Sequence, residues 1–148
     1  MNITIGSDHA GFKIKEKLKE YLEKKGISCD DMGTHSEEPV DYPDYAEEVA
    51  KKVTKSGNSH KRGILICGSG TGMVIAANKV KGARAVAAYD EYTARMSRED
   101  NDTNILCLRG REFPFEKIKT ITDTWLNTPF SEKKRHKIRL VKIRKLEK

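Results

Sequence analysis

One cysteine of this chain sits where a thiol could do chemistry. Cys67 ends the apolar run Ile64-Leu65-Ile66 and opens the turn Gly68-Ser69-Gly70-Thr71-Gly72. Glycines let the backbone approach a ligand closely, and a turn that feeds a helix aims N–H groups at an anion. Such N–H groups also favour a thiolate, which can take a proton from the carbon beside a carbonyl. The position equally suits an inert thiol closing a core strand, and the loop alone does not separate the two. Nor is the loop a nucleotide signature. No Lys-Ser or Lys-Thr follows its glycines, and the dinucleotide fingerprint belongs after the first strand of a sheet, with an acid downstream.

Two further groups carry chemistry. Asp8-His9, in Ser7-Asp8-His9-Ala10-Gly11, joins a carboxylate to an imidazole that titrates near neutrality; Asp8 could instead cap a helix. Near the C-terminus Arg135 and Arg139 stand one helical turn apart and share a face. Their guanidinium forks suit phosphate oxygens, although a basic tail is also a common solvated surface. Arg111, in Arg109-Gly110-Arg111, is a third candidate cation.

The elements that must position these groups follow from patterning. Short β-branched runs at 2–6, 27–32, 63–67, 83–88 and 104–108 alternate with amphipathic stretches at 12–25, 45–55, 71–79, 91–98 and 115–126. This alternation predicts a parallel α/β sheet, a three-layer sandwich with strand order 2-1-3-4-5. Ligands of such a sheet bind beyond the carboxyl ends of strands 1 and 3, where the order reverses. The loops at Asp8 and Cys67 lie there. Residues 133–148 read as one more amphipathic helix, either packed on a neighbouring subunit or simply solvated. One domain covers 1–148.

Composition narrows the function. The chain has 148 residues and a formal charge of +7, but residues 133–148 hold nine of its 29 Lys/Arg and one of its 22 Asp/Glu. The remainder is close to neutral, so the charge belongs to a tail and not to a nucleic-acid face. With few aromatics and no basic-aromatic interleaving, nucleic-acid binding is not expected. Three cysteines without a CxxC pair suggest neither a disulfide framework nor a zinc site. No apolar run approaches the roughly 20 residues of a membrane span. The opening MNITIGSDHAGF lacks a secretory layout, so a cytoplasmic location is expected.

The segments GSDHAG, GTHSEEPVDYPDYA, ILICGSGTGM, IAANK, ARMSREDNDTN and RHKIR occur in the order found in type B ribose-5-phosphate isomerases. The chain resembles that family along essentially its whole length. The wider family includes galactose-6-phosphate isomerase subunits, whose glycine loop usually lacks the cysteine, so ICGSGTG places this chain on the ribose-phosphate side. The resemblance implies a flavodoxin-like fold and a homodimer or tetramer with sites shared between subunits. It also implies no metal and no organic cofactor, and an enediolate reaction joining ribose 5-phosphate and ribulose 5-phosphate.

By position, the resemblance makes Cys67 the base for the C2 proton and Ser69 a hydroxyl near that thiol. The N–H groups of Gly68, Gly70, Thr71 and Gly72, with Asn101, become the enediolate hole. Asp8 becomes a substrate-hydroxyl or relay contact, and Tyr42 lies near the sugar. His9, Arg111, Arg135 and Arg139 become the phosphate grip. Two positions depart from the family pattern. Asp100 stands where a ring-opening histidine is usual; a carboxylate can take that role if burial keeps a proton on it, or it can be merely structural. Lys133-Lys134 replaces the usual Gly-Gly before Arg135. The competing readings are an isomerase of galactose or allose 6-phosphate and a non-catalytic phosphate-ligand or RNA-binding module.

Overall fold

The structure, a computed structural model, describes residues 1–55, 57 and 60–147; Lys148 of the expected tail lies outside them. Its elements are β1 (Asn2–Ser7), α1 (Phe12–Lys24), β2 (Ser28–Asp31), α2 (Tyr42–Thr54), β3 (Arg62–Cys67), α3 (Thr71–Ala77), β4 (Ala85–Ala87), α4 (Glu91–Asn101), β5 (Ile105–Arg109), α5 (Phe115–Asn127) and α6 (Lys134–Arg144). All strands run parallel in the order β2-β1-β3-β5-β4. The α/β sandwich is the expected class.

The expected order 2-1-3-4-5 is corrected at one edge, where β5 lies inside β4. The reason is in the side chains. Ile105, Leu106, Cys107 and Leu108 are all fully buried, so β5 needs cover on both faces and takes an interior place. β4 is only Ala85–Ala87, half-buried throughout, and a short strand of small residues suits an edge.

Crossovers toward the β2 edge carry α1 and α4 on one face, and those toward the β4 edge carry α2 and α3 on the other. A single crossover handedness gives this partition. On the first face Leu18, Leu22, Ala94, Ile118, Ile121 and Trp125 pack on Ile3, Ile5, Ile64, Ile66, Leu106 and Leu108. On the second, Ala46, Val49, Ala50, Val53, Met73 and Ala77 pack on Leu65, Cys67, Ile105 and Cys107. The crossovers leaving β1 and β3 diverge, and a crevice opens between their carboxyl ends.

Two element boundaries matter for the site. α2 begins at Tyr42, earlier than the expected 45, because Pro43 fits a first helical turn. α4 runs to Asn101 and ends on Asp102 in a left-handed conformation. There Arg98, 3% exposed, donates to Asp102 Oδ1 at 2.9 Å and to the Thr103 carbonyl at 2.5 Å. Trp125 Nε1 donates to Thr103 Oγ1 at 2.9 Å, locking α5 to the same corner. α6 buries one side chain, His136, while Ile138, Val141, Ile143 and Leu146 lie exposed.

Candidate active site

β3 delivers Cys67 to the sheet's mouth. The residue is 4% exposed, and it lines an open cleft of about 590 Å³ together with Asp8, Tyr42, Gly68, Ser69, Thr71, Gly72, Tyr89, Arg109 and Arg111. The sulfur is therefore packed on the core side and open on the ligand side. Gly70 turns the chain with φ +84, a conformation costly for any side-chain-bearing residue. This turn brings the Gly70 N–H to Cys67 Sγ at 3.1 Å. Ser69 Oγ lies 2.8 Å from Thr71 Oγ1 and accepts from the Thr71 N–H at 3.4 Å. The N–H groups of Gly68 and Gly72 have no acceptor among the described residues. The loop thus offers both a sulfur and unspent donors.

The wall opposite comes from the ends of β1 and β5. Asp8 does not cap α1, whose N-cap is Gly11; its Oδ1 accepts from the Gly11 N–H at 3.0 Å, in the turn before the helix, and the residue lines the cleft. His9 Nδ1 accepts the Val40 N–H at 3.1 Å. Its neutral tautomer therefore carries hydrogen on Nε2, a donor left for a ligand. Tyr42 lies over the glycine loop: a Cβ on Gly72 would come within 2.7 Å of the Tyr42 ring. Cys67 pairs in register with Arg109, and the Arg111 N–H donates to the Gly68 carbonyl at 3.1 Å, which places Arg111 beside the loop.

Upstream of the segment carrying Val40 and Tyr42, the turn at Gly33 is held by an ion cluster on β2. Lys15 is fully buried and reaches Asp31 Oδ2 at 2.5 Å, and Lys19 reaches the same oxygen at 2.7 Å. Asp31 Oδ1 accepts the Gly33 N–H at 2.9 Å. Burial alone would raise the Asp31 pKa, but the hydrogen bonds from Lys15, Lys19 and the Gly33 N–H outweigh it and hold the carboxyl below its ordinary range.

Four expected site residues lie elsewhere in the chain. Asp100 and Asn101 close α4 just before β5 begins, whereas Cys67 lies level with the end of β5. The length of β5, roughly 3.3 Å per residue, separates them. Arg135 and Arg139 sit with Asp100, because His136 between them packs against it: Nε2 is 3.5 Å from Asp100 Oδ1. Both arginines are exposed. One chain thus holds two groups of expected site residues at opposite ends of its sheet. Asp100 is 46% exposed, so this chain does not supply the burial asked of it.

The cleft also contains two residues not singled out from sequence. Arg109 lines it because the fifth strand runs one residue past its expected end. Tyr89 donates from its hydroxyl to the Ser69 carbonyl at 2.7 Å. No local pattern marks it, since its partner lies 20 residues away in the sequence.

A cleft at the switch point of a parallel sheet, with a thiol and cations on its walls, defines a class of enzyme. The family model for Ribose/Galactose Isomerase matches residues 3–143, and the chain belongs to that family. It is 43% identical over 145 residues to ribose-5-phosphate isomerase B of Escherichia coli, covering 98% of this chain and 95% of that one. The solved structure of Clostridium thermocellum ribose-5-phosphate isomerase B superposes with a TM-score of 0.94 at 46% identity, covering 99% of this chain and 97% of that one. The Mycoplasma genitalium ribose-5-phosphate isomerase B, solved with bound ribulose 5-phosphate, gives 0.93 at 39% identity, covering 99% and 95%.

Proposed function

We propose that this protein interconverts D-ribose 5-phosphate and D-ribulose 5-phosphate through an enediolate, as an aldose–ketose isomerase of the pentose phosphate pathway. The carrying observation is the Cys67 sulfur, held by the Gly70 N–H at 3.1 Å and open to the cleft. The sulfur takes the C2 proton of the open-chain aldose and returns it to C1. The hydroxyl proton moves from O2 to O1, with the Ser69 and Thr71 hydroxyls on the cleft wall in reach. The spare N–H groups of Gly68 and Gly72 meet the oxygen on which charge develops, where fixed donors help most. His9 Nε2 and Arg111 take the phosphate.

The reading further holds that the working unit is at least a homodimer, one copy's cleft completed by the other's Asp100, Asn101, Arg135 and Arg139. Its support is their separation from Cys67 within one chain and the exposed apolar side chains of α6. The single domain 1–148 would serve in the cytoplasm, where its three free thiols suit a reducing milieu.

The test is turnover of ribose 5-phosphate by the native chain and by Cys67→Ala. The expected result is loss of at least about 100-fold in kcat with phosphate ligands still bound; a variant near the native rate ends the proposal. Rates on galactose and allose 6-phosphates, run alongside, decide the sugar.

A further inference from the structure

The glycine loop is gripped from a direction that the proton transfer does not use. The Tyr89 hydroxyl donates to the Ser69 carbonyl at 2.7 Å, and the Gly70 N–H donates to Cys67 Sγ at 3.1 Å. That carbonyl and that N–H belong to one peptide group. The phenol and the sulfur therefore sit at the two ends of a single planar unit, O–H···O=C–N–H···S. A donor on the carbonyl draws electron density from the nitrogen and makes its N–H a better donor, so the two bonds strengthen one another. The unit also needs holding. Gly70, at φ +84, has no Cβ to oppose rotation of the peptide before it, and a rotated peptide would face the sulfur with its carbonyl. β5 backs one side of the turn, where a Cβ on Gly70 would come within 3.2 Å of the Leu108 carbonyl. Tyr89 holds the other end, and among the described residues no other donor reaches the Ser69 carbonyl.

We infer that Tyr89 is a positioning residue for Cys67: through the Ser69–Gly70 peptide it aims and strengthens the N–H that stabilises the thiolate. The inference deepens the isomerase reading and rests on it for the chemistry that the thiolate performs. At 4% exposure the sulfur has little water to stabilise its charge, so the Gly70 N–H carries much of that task. Tyr89 is suited to the part. It follows β4 by two residues, and its ring stands edge-on to Phe113, centroids 6.5 Å apart at 76°. The guanidinium of Arg109 lies over that Phe113 ring at 5.8 Å. A ring braced in this way points its hydroxyl in one direction, across the end of β5 and onto the loop.

The test is Tyr89→Phe, which removes the hydroxyl and keeps the ring against Phe113. Alkylation of Cys67 by iodoacetamide, followed by peptide mapping from about pH 6 to about pH 9.5, reads the thiolate directly. The charged and titratable groups near the sulfur on other elements are Asp8, Tyr42, Arg109, Arg111 and Cys107. The variant leaves all five in place, so a moved profile reports the lost hydroxyl. We expect the midpoint of the profile to rise by about 0.5 in pH, which makes labelling about two- to threefold slower at about pH 7. Above the midpoint the variant should label as fast as the native chain or slightly faster, since a more basic thiolate is more nucleophilic. Ribose 5-phosphate turnover should fall about threefold at about pH 7, with KM within about twofold of native, and the deficit should shrink as pH rises.

A labelling profile that superimposes on the native one would overturn the inference. So would a deficit of equal size at every pH, the mark of a loop that has only loosened. Turnover lost with an unmoved labelling profile would assign Tyr89 to the substrate and overturn the relay through the peptide. Labelling needs no substrate, so the inference and the reaction fail separately. A native chain silent on ribose 5-phosphate, with a thiol whose profile still moves in Tyr89→Phe, would remove the isomerase reading and leave the relay standing.

Discussion

The three thiols differ by environment, not by type. Burial, helped by Glu23, pushes the Cys29 thiol up to about 11, and burial with the nearby Cys67 puts Cys107 well above the ordinary range. Both are held as unreactive thiols at neutral pH. Iodoacetamide should therefore label Cys67 first, and a sugar phosphate in the cleft should slow that labelling; peptide mass mapping over time reads both. Asp31 makes a prediction of opposite kind. Its folded pKa is depressed, so its contribution to stability is present above the unfolded pKa and is lost as pH falls through the folded one. The stability gap between the native chain and Asp31→Asn should be full at neutral pH and should close below about pH 4. Urea denaturation from about pH 7 to about pH 2.5 measures it.

At the scale of elements, the α4 terminus is the joint on which the second group of expected site residues depends. Arg98 sits almost wholly inside the protein and serves Asp102, the Thr103 carbonyl and the Thr128 carbonyl together. Removing it leaves Asp102 to Arg84 alone and strips the Thr103 and Thr128 carbonyls of a buried donor. Arg98→Ala should cost about 3 kcal/mol in chemical denaturation, the scale of a broken buried ion pair. It should impair ribose 5-phosphate turnover more than ligand binding to the Cys67 loop. The loop itself is held from another direction, by Tyr42 over Gly72. Tyr42 stands there because Pro43 starts α2 early, and its phenol reaches the cleft as a consequence of that helix start.

For the whole molecule, the separation of the two residue groups makes complementation the decisive observation. As pure species, chains carrying Cys67→Ala should be inactive, and chains carrying Arg135→Ala with Arg139→Ala should turn over slowly at substrate concentrations below the native KM, where the assay is run. Co-expressed, they should recover about a quarter of native activity. Random pairing makes half the dimers mixed, and each mixed dimer has one intact site of two. No recovery would mean that each chain completes its own site. The arginine variant alone should raise KM for sugar phosphate by about 10- to 100-fold, the worth of two lost charge-assisted hydrogen bonds at most.

Much of this was already in the sequence, for local reasons. The alternation of apolar runs and amphipathic stretches dictated the α/β class, and Ile64-Leu65-Ile66 before a glycine turn put Cys67 at a strand's carboxyl end. Asp8-His9 and Arg111 could be placed at the same mouth because parallel strands all end on one side. What sequence could not decide was lateral and long-range. β5 displaced β4 to the edge because burial on two faces is settled only when all strands compete for the middle, and Tyr89, 20 residues on in the chain, met Ser69 only in the folded sheet. Asp100, Arg135 and Arg139 have the right chemistry at the right spacing. Their distance from Cys67 within one chain is a property of the folded sheet: side-chain type sets what a group can do, and only packing sets what it can reach.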